Sequence, residues 1–339
     1  MHRVGRIFCR KASNPIHGCK GLCPRRIRWR FGSFAGIAVF LFFGAACTEI
    51  IHVDLGTMDS ILVVDAKLTT DTASHVVKLN RSCDYYDPEV DKTTISGALV
   101  YVQREDGSRI DYVEDDTMPG WYRTAPDVYG KIGENYRLHI EVDANGDGQT
   151  ELYEAESRMP DIPPIDSVSP LYGMGLPPFY SANPSRLGWN IRIYAQDPPT
   201  KENYGFSFAL NGRMYFDTIT DIFCFPDIFT SGLYMQGLTI YFFADEPSDS
   251  TRVPALKEGD SVTMILYSFT DAYNQYISDV NEAVSTEFPV YSAAPSNVRG
   301  NISNGAFGCF AVYSISRGSC IIPAKPDSGG AIFSGTDAG

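Results

Sequence analysis

The sequence predicts a mainly β protein, with a β-sandwich followed by a strand-rich second domain that carries one amphipathic helix. Three observations lead there. Tyr and Phe, both strand-friendly residues, number 20 each and fall in short runs along the chain. In Tyr136-Arg-Leu138-His-Ile140-Glu-Val142 apolar and polar residues alternate strictly, which is the period-2 signature of a half-buried strand. Between such runs stand the turn dipeptides Asp106-Gly107 and Pro119-Gly120. At roughly 150 residues per domain, the 339 residues suggest two domains.

The elements follow in order. Residues 1–46 read as a signal peptide, its start placed too far upstream, and 47–59 as a tether. The sandwich occupies 60–158, with strands expected at 61–68, 75–79, 98–103, 109–113, 121–124, 136–142 and 152–157. Met159-Pro-Asp-Ile-Pro-Pro-Ile165 is a stiff, extended connector. The second domain spans 166–322, with strands at 189–195, 204–210, 238–243 and 261–267. A helix is expected over 271–285, because Ala272, Tyr273, Tyr276, Ile277, Val280, Ala283 and Val284 recur at three- and four-residue steps. Asp271 is its candidate N-cap. The Gly/Ser/Asp-rich tail, 323–339, is expected to be disordered.

Charge is unevenly placed. Residues 1–46 hold nine of the 28 basic residues and no acid, which leaves the remainder with 19 basic against 41 acidic residues. A body that acidic repels phosphate backbones, which disfavours nucleic acid, and none is expected as a partner. Arg25, Arg26, Arg28 and Arg30 precede an uncharged run from Phe31 to Ala46, which ends in small residues before Cys47. A basic region, a short apolar stretch and a small-residue cleavage site describe a secretory signal. Sixteen residues are few for a spanning helix, which needs about 20, so a retained anchoring helix is the lesser alternative. Gly44-Ala-Ala-Cys47 resembles a bacterial lipobox, with Gly44 where Leu is usual. The resemblance implies acylation of Cys47 and a membrane partnership through that lipid, since two or more chains make attachment durable. Cys9, Cys19 and Cys23 with His2 and His17 lack a second CxxC pair and do not compose a zinc site.

Beyond Cys47 remain Cys83, Cys224, Cys309 and Cys320. Outside the cytoplasm they permit two disulfides in three pairings, or none. Cys309 and Cys320 flank a plausible hairpin and are the favoured pair.

The order of strand, Asp-Gly turn, strand, Pro119-Gly-Trp-Tyr122 and Gly133-Glu-Asn-Tyr-Arg-Leu138 resembles immunoglobulin-like, transthyretin-like and carboxypeptidase-regulatory-like sandwiches. Over most of the mature length the chain also resembles the Bacteroidota lipoproteins of the domain-of-unknown-function family 4249. The residues that carry this are Cys47 with Val53-Asp-Leu, Ile61-Leu-Val-Val-Asp65, Ile95-Ser-Gly-Ala-Leu-Val-Tyr-Val102, the two motifs just named, Pro164-Ile-Asp-Ser-Val168, the helix around Tyr276, Pro295-Ser-Asn-Val-Arg-Gly-Asn-Ile302 and Gly305-Ala-Phe-Gly-Cys-Phe310. The resemblance implies an outer-membrane, lipid-anchored protein, periplasmic or surface-exposed, beside a TonB-dependent receptor. It supplies no catalytic residues.

One motif carries metal chemistry. Asp143-Ala-Asn145-Gly-Asp147-Gly-Gln-Thr-Glu151-Leu-Tyr-Glu154 fits the calcium-loop pattern D-x-N-x-D-G-x5-E. Calcium takes six to eight oxygens, which alternate acidic and amide side chains around a glycine turn can supply. The loop lies between two strand-like runs, so an ordinary acidic hairpin tip is the competing reading. Enzyme signatures are absent: the sequence beyond Cys47 has His52, His75 and His139 and no metalloprotease, serine-hydrolase or phosphate-loop motif. Adjacent acids such as Asp115-Asp116 read as solvated turn residues. Tyr172, Phe179, Tyr180, Phe223, Phe225, Phe229 and Tyr234 fall in Gly/Pro-rich stretches expected to be loops, where aromatics either anchor the loop or meet a ligand. The function expected is that of a non-enzymatic envelope lipoprotein assisting a TonB-dependent transporter, with a structural or adhesive subunit as the alternative and a hydrolase less favoured.

Overall fold

The structure, a computed structural model, describes residues 61–82, 93–175, 187–200, 202–216, 218–226, 230–246, 253–285 and 298–326. The signal region, Cys47, the tether, Cys83, Phe179, Tyr180, Phe229 and most of the tail lie outside the described residues.

Seven strands make the first half: β1 (Leu62–Thr69), β2 (Val76–Arg81), β3 (Leu99–Arg104), β4 (Arg109–Asp115), β5 (Met118–Arg123), β6 (Asn135–Val142) and β7 (Glu151–Arg158). Their alternation decides what is buried. In β6, Tyr136, Leu138, Ile140 and Val142 point inward while Asn135, Arg137 and Glu141 face out. Eight further strands follow: β8 (Ser167–Met174), β9 (Leu187–Gln196), β10 (Asn203–Leu210), β11 (Arg213–Met214), β12 (Phe223–Pro226), β13 (Tyr234–Ala244), β14 (Ser261–Phe269) and β15 (Phe307–Ile321). Among the described residues these form a twelve-stranded sheet ordered β11-β10-β14-β15-β1-β2-β5-β4-β3-β6-β7, with β12 also on β10, and a three-stranded sheet β13-β9-β8. The chain is thus mainly β, with a single α-helix, α1 (Asp271–Ser285), among the described residues.

The last strand joins the two halves. Its first part, Phe307–Tyr313, runs parallel to β1, and Ser314–Ile321 pairs antiparallel with β14. Here the structure corrects the expected hairpin and the Cys309–Cys320 disulfide. Both cysteines stand on one continuous strand and are free. Eleven residues at about 3.3 Å each separate them by roughly 36 Å, whereas bridged Cα atoms lie within about 7 Å.

Two main cores result. One lies inside the first half, from Leu62, Leu68, Tyr122, Tyr136, Leu138 and Ile140, and takes Phe310 and Val312 from β15. The other packs β9, β10, β13 and β14 through Trp189, Ile191, Phe206, Phe208, Phe243 and Met264. Every residue of β10 is buried, so it shows no alternation. A third cluster lies under α1, where Tyr273 and Ile277 cover Phe269, Cys309 and Ala311. The cap of α1 is Thr270, one residue before the expected Asp271: its hydroxyl accepts the Tyr273 N–H at 3.2 Å.

The first half closes on itself through the segment ahead of β15. Ser303 N–H donates to the Glu154 carbonyl at 2.8 Å, and Glu154 N–H donates to the Ser303 hydroxyl at 2.7 Å. This covers the edge of β7, which would otherwise offer unpaired backbone groups. The same segment is pinned at Asn301, whose side chain accepts from Phe310 N–H at 2.8 Å and donates to the Phe310 carbonyl at 3.0 Å. Close backbone approach is essential here. A Cβ on Gly300 would stand 2.1 Å from the Gly308 carbonyl oxygen, and one on Gly308, at φ +100°, would stand 1.9 Å from that of Val64.

Candidate functional site

Residue 61 feeds β1 at one end of the first half, and the connector leaves from the other, where Met159 N–H donates to the Glu134 carbonyl at 2.9 Å. The connector is then held to β15: Ser314 donates its hydroxyl to the Pro160 carbonyl at 2.5 Å, and Ile165 N–H donates to Ser316 at 3.1 Å. Cavities between packed units are where ligands preferentially bind; one cavity spans this junction, and a larger one adjoins it within the first half.

The larger, about 640 Å³, is lined by the ends of β3, β6 and β7 and the β3–β4 turn. Three arginines, Arg104, Arg137 and Arg158, meet two glutamates, Glu105 and Glu156. Arg137 Nε donates to Glu156 at 2.7 Å, and Arg158 Nε donates to the Gly133 carbonyl at 3.0 Å. Tyr136 at its base accepts from Lys131 N–H at 2.7 Å and donates to Glu134 at 2.9 Å, and burial pushes its phenol up to about 12. The second cavity, about 440 Å³, spans both halves and shares Arg158. Met159 and Phe269 contribute buried apolar surface to it, while Asp161, Glu202 and Asp271 supply negative charge. Asn203 donates to Asp271 at 2.7 Å and accepts from Asn274 at 3.2 Å, which fixes the start of α1 against β10. The arrangement offers charge and hydrogen bonds to whatever enters it.

A smaller cavity of about 300 Å³ lies on the outer face of β1 and β2. Its charges are already engaged. Asp65 lies 3.4 Å from Lys67 and 3.6 Å from Lys78, and Trp121 is flanked by Lys78 at 4.2 Å and Arg123 at 5.3 Å.

The expected calcium loop is a hairpin tip between β6 and β7, at the end near residue 61. Asp143 folds back on its own backbone, accepting N–H groups from Gly146 at 2.6 Å, Asp147 at 3.1 Å and Gly148 at 2.9 Å. Asn145 accepts from Asp147 N–H at 2.9 Å, Asp147 from Gln149 N–H at 2.7 Å, and Glu151 from Ala144 N–H at 3.0 Å. The structure corrects the five-residue ligand set, because Glu154 does not join the others. Strand alternation turns its carboxylate to His139, 3.1 Å from Nδ1. Among the described residues no group of three or more His, Cys, Asp or Glu side chains is placed to hold a metal ion. His139, expected to face solvent, does stand on the outer face but is largely covered, stacked on Tyr101 with centroids 4.7 Å apart.

The aromatic stretches expected as loops are partly strands. Tyr172 lies in β8, edge-on to Trp189 at 5.1 Å, and donates to Asp245 at 2.6 Å. Phe223 and Phe225 lie in β12, and Tyr234 opens β13 with its side chain exposed. Sequence reasoning missed the junction, because its residues come from positions 103 to 271 and share no local motif.

No helix among the described residues is long and apolar enough to cross a membrane. A family model described as "Domain of unknown function (DUF4249)" matches residues 48–319. No curated protein matches the chain.

Proposed function

The chain belongs to the DUF4249 family, and from that premise we propose that it is a non-enzymatic cell-envelope lipoprotein. It is held to the outer membrane through lipid on Cys47, and captures ligand for, or docks on, a TonB-dependent transporter. The observation that carries this reading is the placement of the junction cavities. They lie at the end of the first half opposite residue 61, the eight residues of β1 separating the two ends by about 26 Å. Cavities lined by charged and hydrogen-bonding residues support ligand capture. Pull-down of the lipidated protein from envelope extracts is expected to recover a TonB-dependent receptor, and Cys47→Ser is expected to move the protein into the soluble fraction. Repeated recovery of no receptor would remove the transporter partnership.

A structural or adhesive subunit is the second reading. It is favoured by exposed apolar side chains on the outer face of the first half: Leu99 and Leu152, 43% and 47% exposed, flank Glu141 across β3, β6 and β7, and Val113 of β4 is 70% exposed. It predicts higher-order assemblies on size-exclusion chromatography.

A further inference from the structure

We propose that the hollow on the outer face of β1 and β2 is a separate binding site, which takes a carboxylate borne on a body of one-ring size between Lys67 and Lys78. It shares no residue with the junction cavities and does not depend on the reading given to them.

Sheet register builds the hollow. Asp65 stands opposite Lys78 across β1 and β2, and Lys78 stands opposite Trp121 across β2 and β5. Val76, the neighbouring residue of β2 on that face, is short and stands opposite Arg123, so long side chains surround a low floor. The pairing around Asp65 is incomplete. One carboxylate faces two ammonium groups at 3.4 and 3.6 Å, both longer than the about 2.7–2.9 Å of a charge-assisted hydrogen bond. Each ammonium carries three donors, so the trio keeps one uncancelled positive charge and donors for an incoming oxygen. Both groups are open to solvent, with Lys67 44% and Lys78 34% exposed. Such a surplus stands out on a chain that beyond residue 46 carries 19 basic against 41 acidic residues. Val76 and Trp121, both half-buried, offer apolar surface to a carbon body, which favours an organic carboxylate over a bare inorganic anion. A volume of about 300 Å³, at the lower end of small-ligand sites, limits that body to about one ring.

Tryptophan emission reads the site, because the Lys78 ammonium lies 4.2 Å from the Trp121 ring centroid and the other described tryptophan, Trp189, is 2% exposed. The full-length protein in detergent is titrated at low salt, where exposed charges are least screened. Benzoate and glucuronate are the ligands; benzyl alcohol and glucose are their uncharged counterparts, and sodium sulfate is an anion without a carbon body. A saturable change is expected with at least one carboxylate, and the tighter of the two tells an apolar body from a sugar. Lys67→Gln and Lys78→Gln are each expected to weaken binding about tenfold or more, since each removes a charged donor. Isothermal titration supplies the affinity for Lys78→Gln, which alters the reporter. Asp65→Asn is expected to tighten binding, because it removes the anion that competes for the same two lysines. Lys131→Gln, at a lysine that lines none of these cavities, should leave binding unchanged. The substituted groups are solvent-exposed, so all four variants should melt near wild type. No saturable change with either carboxylate, an equal change with an uncharged counterpart or sulfate, or Asp65→Asn binding no tighter than wild type would overturn the proposal.

Discussion

Arg299 grips Asp279 with three hydrogen bonds. Its backbone N–H donates at 3.0 Å, Nε at 2.8 Å and Nη2 at 2.7 Å, and Gln275 adds a fourth donor to the same carboxylate at 2.9 Å. Asp279 sits on α1 and is almost fully buried, whereas Arg299 opens the segment that leads into β15. The bonds from Arg299 hold the Asp279 carboxyl well below the usual carboxylate range.

Asp279→Asn leaves the guanidinium without its anion, and Arg299→Met leaves a buried carboxylate without its cation. Both variants are expected to melt several degrees below wild type, with Arg299→Met the worse, because the group it strands is the buried one. Differential scanning fluorimetry reads this. Equal melting temperatures for wild type and both variants would mean that the clamp adds nothing to stability.

At the crossing of Gly300 over Gly308, any side chain meets backbone instead of a flexible group. Gly308→Ala is expected to destabilise beyond the usual ~0.5–3 kcal/mol range of point substitutions. Circular dichroism and urea titration should find it unfolded or nearly so. A midpoint close to wild type would show that the backbone can part there.

Burial pushes the thiols of Cys224 and Cys309 up to about 12 and that of Cys320 up to about 11. Thiolate is the reactive form, so these three are expected to be silent to iodoacetamide at pH 8 in the folded protein and to react fully in urea without reductant. Peptide mass spectrometry checks each site. A Cys309–Cys320 crosslink found without reduction would contradict the strand on which both stand.

His75 is buried, and desolvation lowers its pKa below the ordinary 6.5, although its ring lies 3.2 Å from the Val128 carbonyl. The folded state therefore favours the neutral ring, and below 6.5 the unfolded chain binds more protons. Its contribution to stability is present in full above pH 6.5 and is lost as pH falls through the depressed folded value. Urea midpoints for wild type and His75→Gln should diverge above pH 6.5 and converge towards pH 5. A constant gap would assign the role of His75 to packing alone.

How much of this was legible depended on whether the physics was local. In β6 the alternation of Tyr136, Leu138, Ile140 and Val142 announced both the strand and its buried face. The helix was visible for the same reason, with its cap misplaced by one residue because Asp271 and Thr270 are both capping types. A hairpin was expected between Cys309 and Cys320, yet Gly318 lies inside the continuous strand β15. Gly318 instead makes room for Ile165 and Val168, whose side chains would lie 2.6 and 2.7 Å from a Cβ there. Only tertiary packing carries that information. Likewise Glu154 completes a calcium pattern on paper, but its strand aims it at His139. The junction charges on Arg104, Arg158 and Asp271 are brought together by the sheet order alone, and no window of sequence contains them.

A chain made from its first residue onward cannot complete either hydrophobic interior before β15 exists. Phe310 and Val312 finish one, and Ile322, just past the strand's end, finishes the other. Until residues 307–321 emerge, β1 and β14 both carry raw edges that invite pairing with other molecules. Nascent material thus stays unfinished until residue 322 has been made. That delay makes any prematurely terminated product a natural target for proteolysis.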